Sequence, residues 1–171
     1  MKSRSHSNRG MMLEAYIDMA NIKYRQSGRA EIIKQYPEVK ATMTDGARIR
    51  SGFFKGKGAP DYIGLIGKLP VCFDAKQTSN KTSFELKNIH DHQVKYFERW
   101  TAQGGKAFLI VCFTKLNETY LLPYEVLKER WQDAVNGGAK SIPLMVFKEQ
   151  AIEVKPGSGL TIDWLPAVVE V

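Results

Sequence analysis

The reading of the chain turns on Pro60-Asp61-Tyr62-Ile63-Gly64 and, beginning twelve residues after Asp61, Phe73-Asp74-Ala75-Lys76-Gln77-Thr78. Apolar runs on either side of Gly67-Lys68 predict two antiparallel strands joined by a tight turn. Residues two apart on a strand share a face, so this hairpin gathers Asp61, Asp74 and Lys76 at one place. Two carboxylates are hard oxygen ligands of the kind Mg2+ accepts, with waters and a substrate phosphate completing its shell. A cation held there supplies hydroxide and stabilises charge on a phosphate under attack, and Lys76 adds a second positive partner. The constellation implies metal-dependent phosphodiester hydrolysis.

An acid two residues ahead of a lysine is a common pattern. This chain has four: Glu38-Val39-Lys40, Asp74-Ala75-Lys76, Glu85-Leu86-Lys87 and Glu153-Val154-Lys155. Any one of them is ordinarily a solvated strand or helix face. Only the Asp74 triple follows a Pro-Asp at hairpin distance, and it continues an apolar strand, Leu69 to Phe73, where charges are costly to bury.

A chain of 171 residues suits one domain with a real core, taken as residues 1–171. The longest apolar run, Ala107 to Phe113, is far short of a membrane span, and no apolar signal-peptide core follows Met1 to His6. These features point to a soluble, cytoplasmic protein with no membrane partner. Cys72 and Cys112 lie in apolar strand-like runs without a neighbouring His or Cys, and read as reduced core residues. The net charge of +7 is localised: residues 1–60 hold twelve Lys or Arg against five Asp or Glu, and the remainder is balanced. One strongly basic region points to a polyanion, nucleic acid first and an acidic membrane surface second.

Residues 1–8 read as a flexible basic arm. From Arg9 the spacing of Leu13, Tyr16, Ile17, Ala20 and Tyr24 predicts an amphipathic helix stopped by Ser27-Gly28. Glu14, Asp18 and Asn21 flank that stripe, by default as a solvated edge; Glu14, near the helix start, could instead reach the metal site. A strand is expected over Ala30 to Tyr36. Lys40 to Ala59 then carries Lys40, Arg48, Arg50, Lys55 and Lys57 around Phe53-Phe54, with Asp45 its one acid. That mixture predicts a projecting arm or hairpin, its cations for phosphates and an aromatic for an exposed base; a surface loop with one phenylalanine tucked into the core is the alternative.

Thr78 to Lys87 reads as polar and turn-like, with Asn80-Lys81-Thr82-Ser83 able to donate to an anion. Asn88 and Asp91 open a helix whose core face includes Gln93, a polar group that needs a partner. Gly104-Gly105 ends it. Ala107 to Phe113 is expected as a central buried strand, Glu118 to Leu122 as an alternating one, and Tyr124 to Val135 as a helix ended by Asn136-Gly137-Gly138. Ile142 to Phe147, Ala151 to Val154 and Leu160 to Leu165 read as short strand-like pieces.

With these residues assembled, the chain resembles the RecU-type Holliday junction resolvases of Gram-positive bacteria and their phages, within the PD-(D/E)XK nuclease superfamily. The resemblance covers most of the chain. It rests on Asn8-Arg9-Gly10 with Leu13-Glu14, Asp61-Tyr62-x-Gly64, Phe73-Asp74-Ala75-Lys76-x-Thr78, Asn80-Lys81-Thr82-Ser83-Phe84 and His90-Asp91-His92-Gln93, supported by Gly104-Gly105 and Lys140-Ser141-Ile142. It implies an α/β, restriction-endonuclease-like core, a mixed central β-sheet flanked by helices, with a basic stalk projecting toward a junction centre. It further implies a homodimer with two sites acting on four-way branched DNA in recombination and repair, Mg2+ dependence with Mn2+ as substitute, and recombination proteins as candidate partners.

Carried over by position, the resemblance makes Asp61 and Asp74 the metal ligands, Lys76 the catalytic lysine, and Glu14 and Gln93 supporting catalytic residues. DNA contacts would come from Arg9, Lys40, Arg48, Arg50, Phe54, Lys55, Lys57, Lys81 and Thr82. Two departures stand out: the family commonly has Glu where Asp74 stands, and the stalk is a few residues shorter than usual. The rival readings are a restriction-type or other branched-DNA nuclease, and a non-catalytic recombination mediator using the same basic surface.

Overall fold

A computed structural model describes residues 7–54 and 58–169, with side chains over 12–53 and 58–169. Helix α1 (Ser7–Gln26) buries Leu13, Ile17, Ala20 and Tyr24, the stripe its spacing predicts. It begins two residues earlier than expected, so Ser7 and Asn8 belong to the helix rather than to the arm. Gly28, at φ 67°, turns the chain out of it.

Six strands form the central sheet: β1 (Glu31–Lys34), β4 (Tyr62–Ile66), β5 (Leu69–Thr78), β7 (Lys106–Phe113), β8 (Glu118–Pro123) and β10 (Ile152–Glu153), neighbours in that order. Every pairing is antiparallel except β5 with β7. That parallel pair requires a crossover, which helix α2 (Asp91–Ala102) supplies. The predicted hairpin is present in the predicted register, Tyr62 opposite Phe73 and Ile66 opposite Leu69, turned at Gly67 with φ 59°. At Gly64 a β-carbon would collide with the Glu31 carbonyl oxygen, so glycine lets β1 close against β4.

The sheet separates two apolar layers. Val71, Phe73, Phe108 and Ile110 meet α1 and the C-terminal segment around Trp164, while Cys72, Leu109 and Val111 meet α2, α3 (Tyr124–Val135) and α4 (Leu144–Gln150). Phe73 is the centre of the first layer: its ring lies 4.7 Å from Tyr62, 4.8 Å from Phe108 and 4.9 Å from Trp164. The α1 side is tied to the chain's far end by Tyr24, whose hydroxyl donates to Asp163 Oδ1 at 2.6 Å and accepts from the Leu165 amide. Covered on both faces, β8 is buried almost continuously rather than alternating.

Three short segments depart from the sequence reading. The turn-like stretch after Thr78 contains β6 (Ser83–Glu85), which pairs with β9 (Ser141–Pro143), and a single 3-10 turn at Leu86–Asn88. Leu144–Gln150 is a helix where a strand-like piece was expected, and Leu160 to Leu165, also expected to be strand-like, forms no strand and leads into α5 (Leu165–Val169). A brief apolar run beside proline looks alike in both periods, and only packing decides. The first strand is also shorter, Glu31–Lys34.

Within the Lys40 to Ala59 stretch a hairpin does form among the described residues. Strands β2 (Val39–Asp45) and β3 (Arg48–Phe54) make a separate two-stranded sheet around Gly46, with an irregular register between Ala41 and Thr44. Every described side chain in it is exposed, Phe53 at 53%, so Phe53 is not a core residue. Cys72 is buried and Cys112 partly so, and both are free thiols. No described helix is long and apolar enough to cross a membrane.

Candidate active site

Alternation along β5 decides which side of the sheet carries the polar cluster. Val71 and Phe73 point toward α1, so Cys72, Asp74 and Lys76 point toward α2. Asp61, just ahead of β4, falls opposite Asp74. The two are laced together across the hairpin: the Asp61 amide donates to Asp74 Oδ1 at 2.7 Å, and the Ala75 amide donates to Asp61 Oδ2 at 3.1 Å. The Gln35 amide, donating to the Asp61 carbonyl at 2.7 Å, fixes the approach to β4.

Gln93 meets its requirement for a partner here. Its Nε2 donates to Asp74 Oδ2 at 2.6 Å, and its Oε1 accepts from the His90 amide at the start of α2. Because the backbone amide can only donate, it commits Oε1, and the amide nitrogen is left to face the carboxylate. Asp74 is fully buried. Burial raises its pKa, the Asp61 charge raises it further, and Lys76 pulls the other way, leaving it pushed up to about 6.

The hydrogen bonds to this pair come from two backbone amides and a neutral carboxamide, so none of them brings a positive charge. A buried carboxylate destabilised as an anion, beside a second carboxylate, suits a divalent cation, and the donors are the hard oxygens Mg2+ prefers. Among the described residues no three His, Cys, Asp or Glu side chains gather around one point. The fit is therefore to a cation taking two protein carboxylates, with water and substrate oxygen as its other ligands.

Glu14 is not part of that group. Its Oε2 lies 2.9 Å from Lys34 Nζ, which also meets Asp18 Oδ2 at 2.9 Å. Asp18 Oδ1 in turn accepts the Tyr62 hydroxyl at 2.8 Å. Lys34 and Asp18 carried no sign of this in the sequence, since they are 16 positions apart and come together only through α1 lying against β1 and β4. In this arrangement the Glu14 carboxylate is paired with Lys34.

The expected DNA contacts divide. Lys40 and Arg48 are exposed on the β2–β3 hairpin, opposite Phe53 and Asp45 respectively. Arg50 is held by the hairpin's one acid, its Nη2 donating to Asp45 Oδ2 at 2.6 Å. Lys55 and Lys57, and the side chains of Arg9 and Phe54, lie outside the described residues. Lys81 is exposed, but the donors of Thr82 are used internally, its amide and hydroxyl both giving to Asn80 Oδ1 at 2.9 and 3.0 Å. An anion would have to displace Asn80 to reach them.

With this geometry in place, the comparisons are specific. A family model described as Recombination protein U matches residues 8–170. A Holliday junction resolvase RecU of Limosilactobacillus fermentum is 40% identical over 171 residues, covering 97% of this chain and 81% of its own length. Another, from Geobacillus thermodenitrificans, is 36% identical over 171 residues, covering 97% of this chain and 85% of its own. Among solved structures, Archaeoglobus fulgidus Hjc, a Holliday junction resolvase from an archaeal hyperthermophile, matches with a TM-score of 0.50 over 82% of this chain and 95% of that one. At 9% identity that likeness is one of fold, and it bears out the restriction-endonuclease-like core. The match along nearly the whole length means that this chain belongs to the Recombination protein U family.

Proposed function

We propose that the protein is a divalent-metal-dependent endodeoxyribonuclease that resolves four-way DNA junctions by paired nicks, acting as a homodimer of single nuclease domains with Mg2+ as its usual ion. The observation that carries this is the Asp61–Asp74 pair with Lys76 on the same sheet face, in a chain of this family. Asp61 and Asp74 would hold the ion, which when bound supplies an activated water and a positive charge at the scissile phosphate.

The chain's own residues do the positioning. The reciprocal backbone bonds fix the spacing of the two carboxylates, so nothing need reorganise when substrate arrives. Gln93 keeps Asp74 Oδ2 directed at α2, which leaves the side chain no freedom to swing away from Asp61. Lys76, extending from the same face as Asp74, would offset charge on the phosphate oxygens. The β2–β3 hairpin, with its exposed cations and Phe53, would grip the substrate away from the chemistry.

Four-way, Y-shaped and linear duplexes of matched sequence, each incubated with Mg2+ and with Ca2+, test the reading. Paired nicks confined to the four-way substrate in Mg2+ are expected. Equal nicking of all three would rule out junction resolution, and no nicking of any would rule out the nuclease.

A further inference from the structure

Helices α2, α3 and α4 cover one face of the sheet over β5, β7 and β8, and the same face of β1 and β4 stays open. Paired residues of antiparallel strands share a face, so Ile33 lies beside Ile63, and Leu65 beside Pro70, on the side opposite Tyr62. Ile33 is 54% exposed and Leu65 48%, which leaves an apolar shelf. Tyr96 and Trp100 of α2 stand at its inner side, partly buried against the covered part of the layer as Ile63 is. Their rings lie 6.0 Å apart at 24°, and the exposed Arg99 guanidinium is 5.6 Å from the centre of the Tyr96 ring. Among the described residues Arg99 has no carboxylate partner and the Tyr96 hydroxyl no hydrogen bond.

The shelf adjoins the carboxylate pair. Along β4 Ile63 is two residues on from Asp61, and along β5 its partner Cys72 is two before Asp74, a step of about 6.6 Å on one face. Above them Tyr96 follows Gln93, the donor to Asp74, by three residues, about 4.5 Å along α2. Burial raises the Tyr96 pKa, neighbouring Cys72 adds to the rise and Arg99 opposes it, so the ring stands by Cys72 and its hydroxyl stays neutral. A phosphodiester held at the pair carries a nucleoside on each side. We propose that one of these two nucleosides lies on the shelf with its base stacked on Tyr96, and that Tyr96 is a specificity-determining residue for the position of the nick. A cation over an aromatic at an exposed site is worth less than a stacked base, so the base displaces Arg99, which is then free for a phosphate. The open hydroxyl meets the edge of the base and supplies a preference among bases. This rests on the nuclease reading above.

The test is a cycle on the full chain, nicking four-way junctions in Mg2+ under single turnover, with an abasic nucleoside placed on either side of the cut in turn. On the contacted side, loss of the base should slow wild-type nicking on the order of tenfold, with the other side as control. Tyr96→Leu, which keeps apolar volume on the shelf, should slow the intact junction by a similar factor, lose the preference among bases at that position and show no further response to the abasic site. Tyr96→Phe should keep that response, since the ring remains. A merely structural tyrosine would give an abasic effect of full size in Tyr96→Leu as well; that result, or wild-type nicking indifferent to the abasic site on both sides, overturns the inference alone. Leu65→Asp should sediment as wild type, and a smaller species would assign the shelf to a contact between copies and overturn the inference too. If the wild type nicks no junction in Mg2+, the nuclease reading fails and the inference goes with it.

Discussion

The β4–β5 and β2–β3 hairpins are both antiparallel and both turn on a glycine in the left-handed region, Gly67 at φ 59° and Gly46 at φ 57°. Their surroundings are opposite. In the first, Tyr62 and Phe73 are fully buried, and Asp74, also buried, has both its carboxylate oxygens hydrogen-bonded. In the second every described side chain is exposed, including Val39, Met43, Ile49 and Phe53. A lone two-stranded hairpin is marginal in water, so the second contributes little to the fold and its residues are available to a partner. The chain keeps rigid geometry in one hairpin and surface available for binding in the other.

That contrast should break most visibly under truncation of one phenylalanine in each. Phe73→Ala removes the ring around which Tyr62, Phe108 and Trp164 pack, and should cost about 3–5 kcal/mol in denaturant unfolding. Phe53→Ala should stay within about 0.5 kcal/mol of wild type. Comparable losses at both positions would show that the exposed hairpin packs on the core after all.

Function should divide the other way. Replacing Arg48 to Lys57 with a Gly-Ser turn removes Arg48, Arg50, Lys55, Lys57 and both phenylalanines, keeps Lys40, and leaves the Asp61–Asp74 pair untouched. Junction affinity by gel shift should fall about tenfold to a hundredfold, the range expected for losing one stacked base contact. Melting temperature should hardly move. Normal resolution by this variant would show that the exposed hairpin does not grip the junction.

A pH dependence confined to the buried hairpin is also expected. Asp74 in the folded protein ionises at about 6, against an ordinary 3.8. Between those values the folded state holds a proton that the unfolded chain has released, so this group makes the metal-free protein less stable as pH rises from about 4 to 6. The difference in stability between wild type and Asp74→Asn should therefore drift with pH across that window and flatten above it. A flat difference throughout would mean that Asp74 is ionised at its ordinary pKa.

The same two hairpins mark what the sequence made legible. The β4–β5 pairing, its turn and the meeting of Asp61 with Asp74 followed from period-two alternation and one spacing, because a hairpin is a local structure whose register its turn dictates. The need of Gln93 for a partner was legible from its place on an apolar helix face; that the partner is Asp74 depended on the crossover between β5 and β7. The Lys34–Glu14–Asp18 cluster was not legible, since three surface-type charges on two separate elements carry no joint pattern. Nor were α4 and α5, short apolar runs whose period is decided by what they pack on. The pairing of Glu14 with Lys34 was equally hidden, because the two residues stand twenty positions apart on α1 and β1.

On the proposed function, chemistry resides in the buried hairpin and substrate grip in the exposed one. The most direct measurement is a single preparation of Asp74→Asn assayed twice on a four-way junction, for nicking in Mg2+ and for binding by gel shift. Nicking should disappear while the dissociation constant stays that of the wild type, because a metal carboxylate is lost and every cation of the exposed hairpin remains. Nicking at the wild-type rate, or loss of nicking and binding together in a protein that still melts cooperatively, would contradict it.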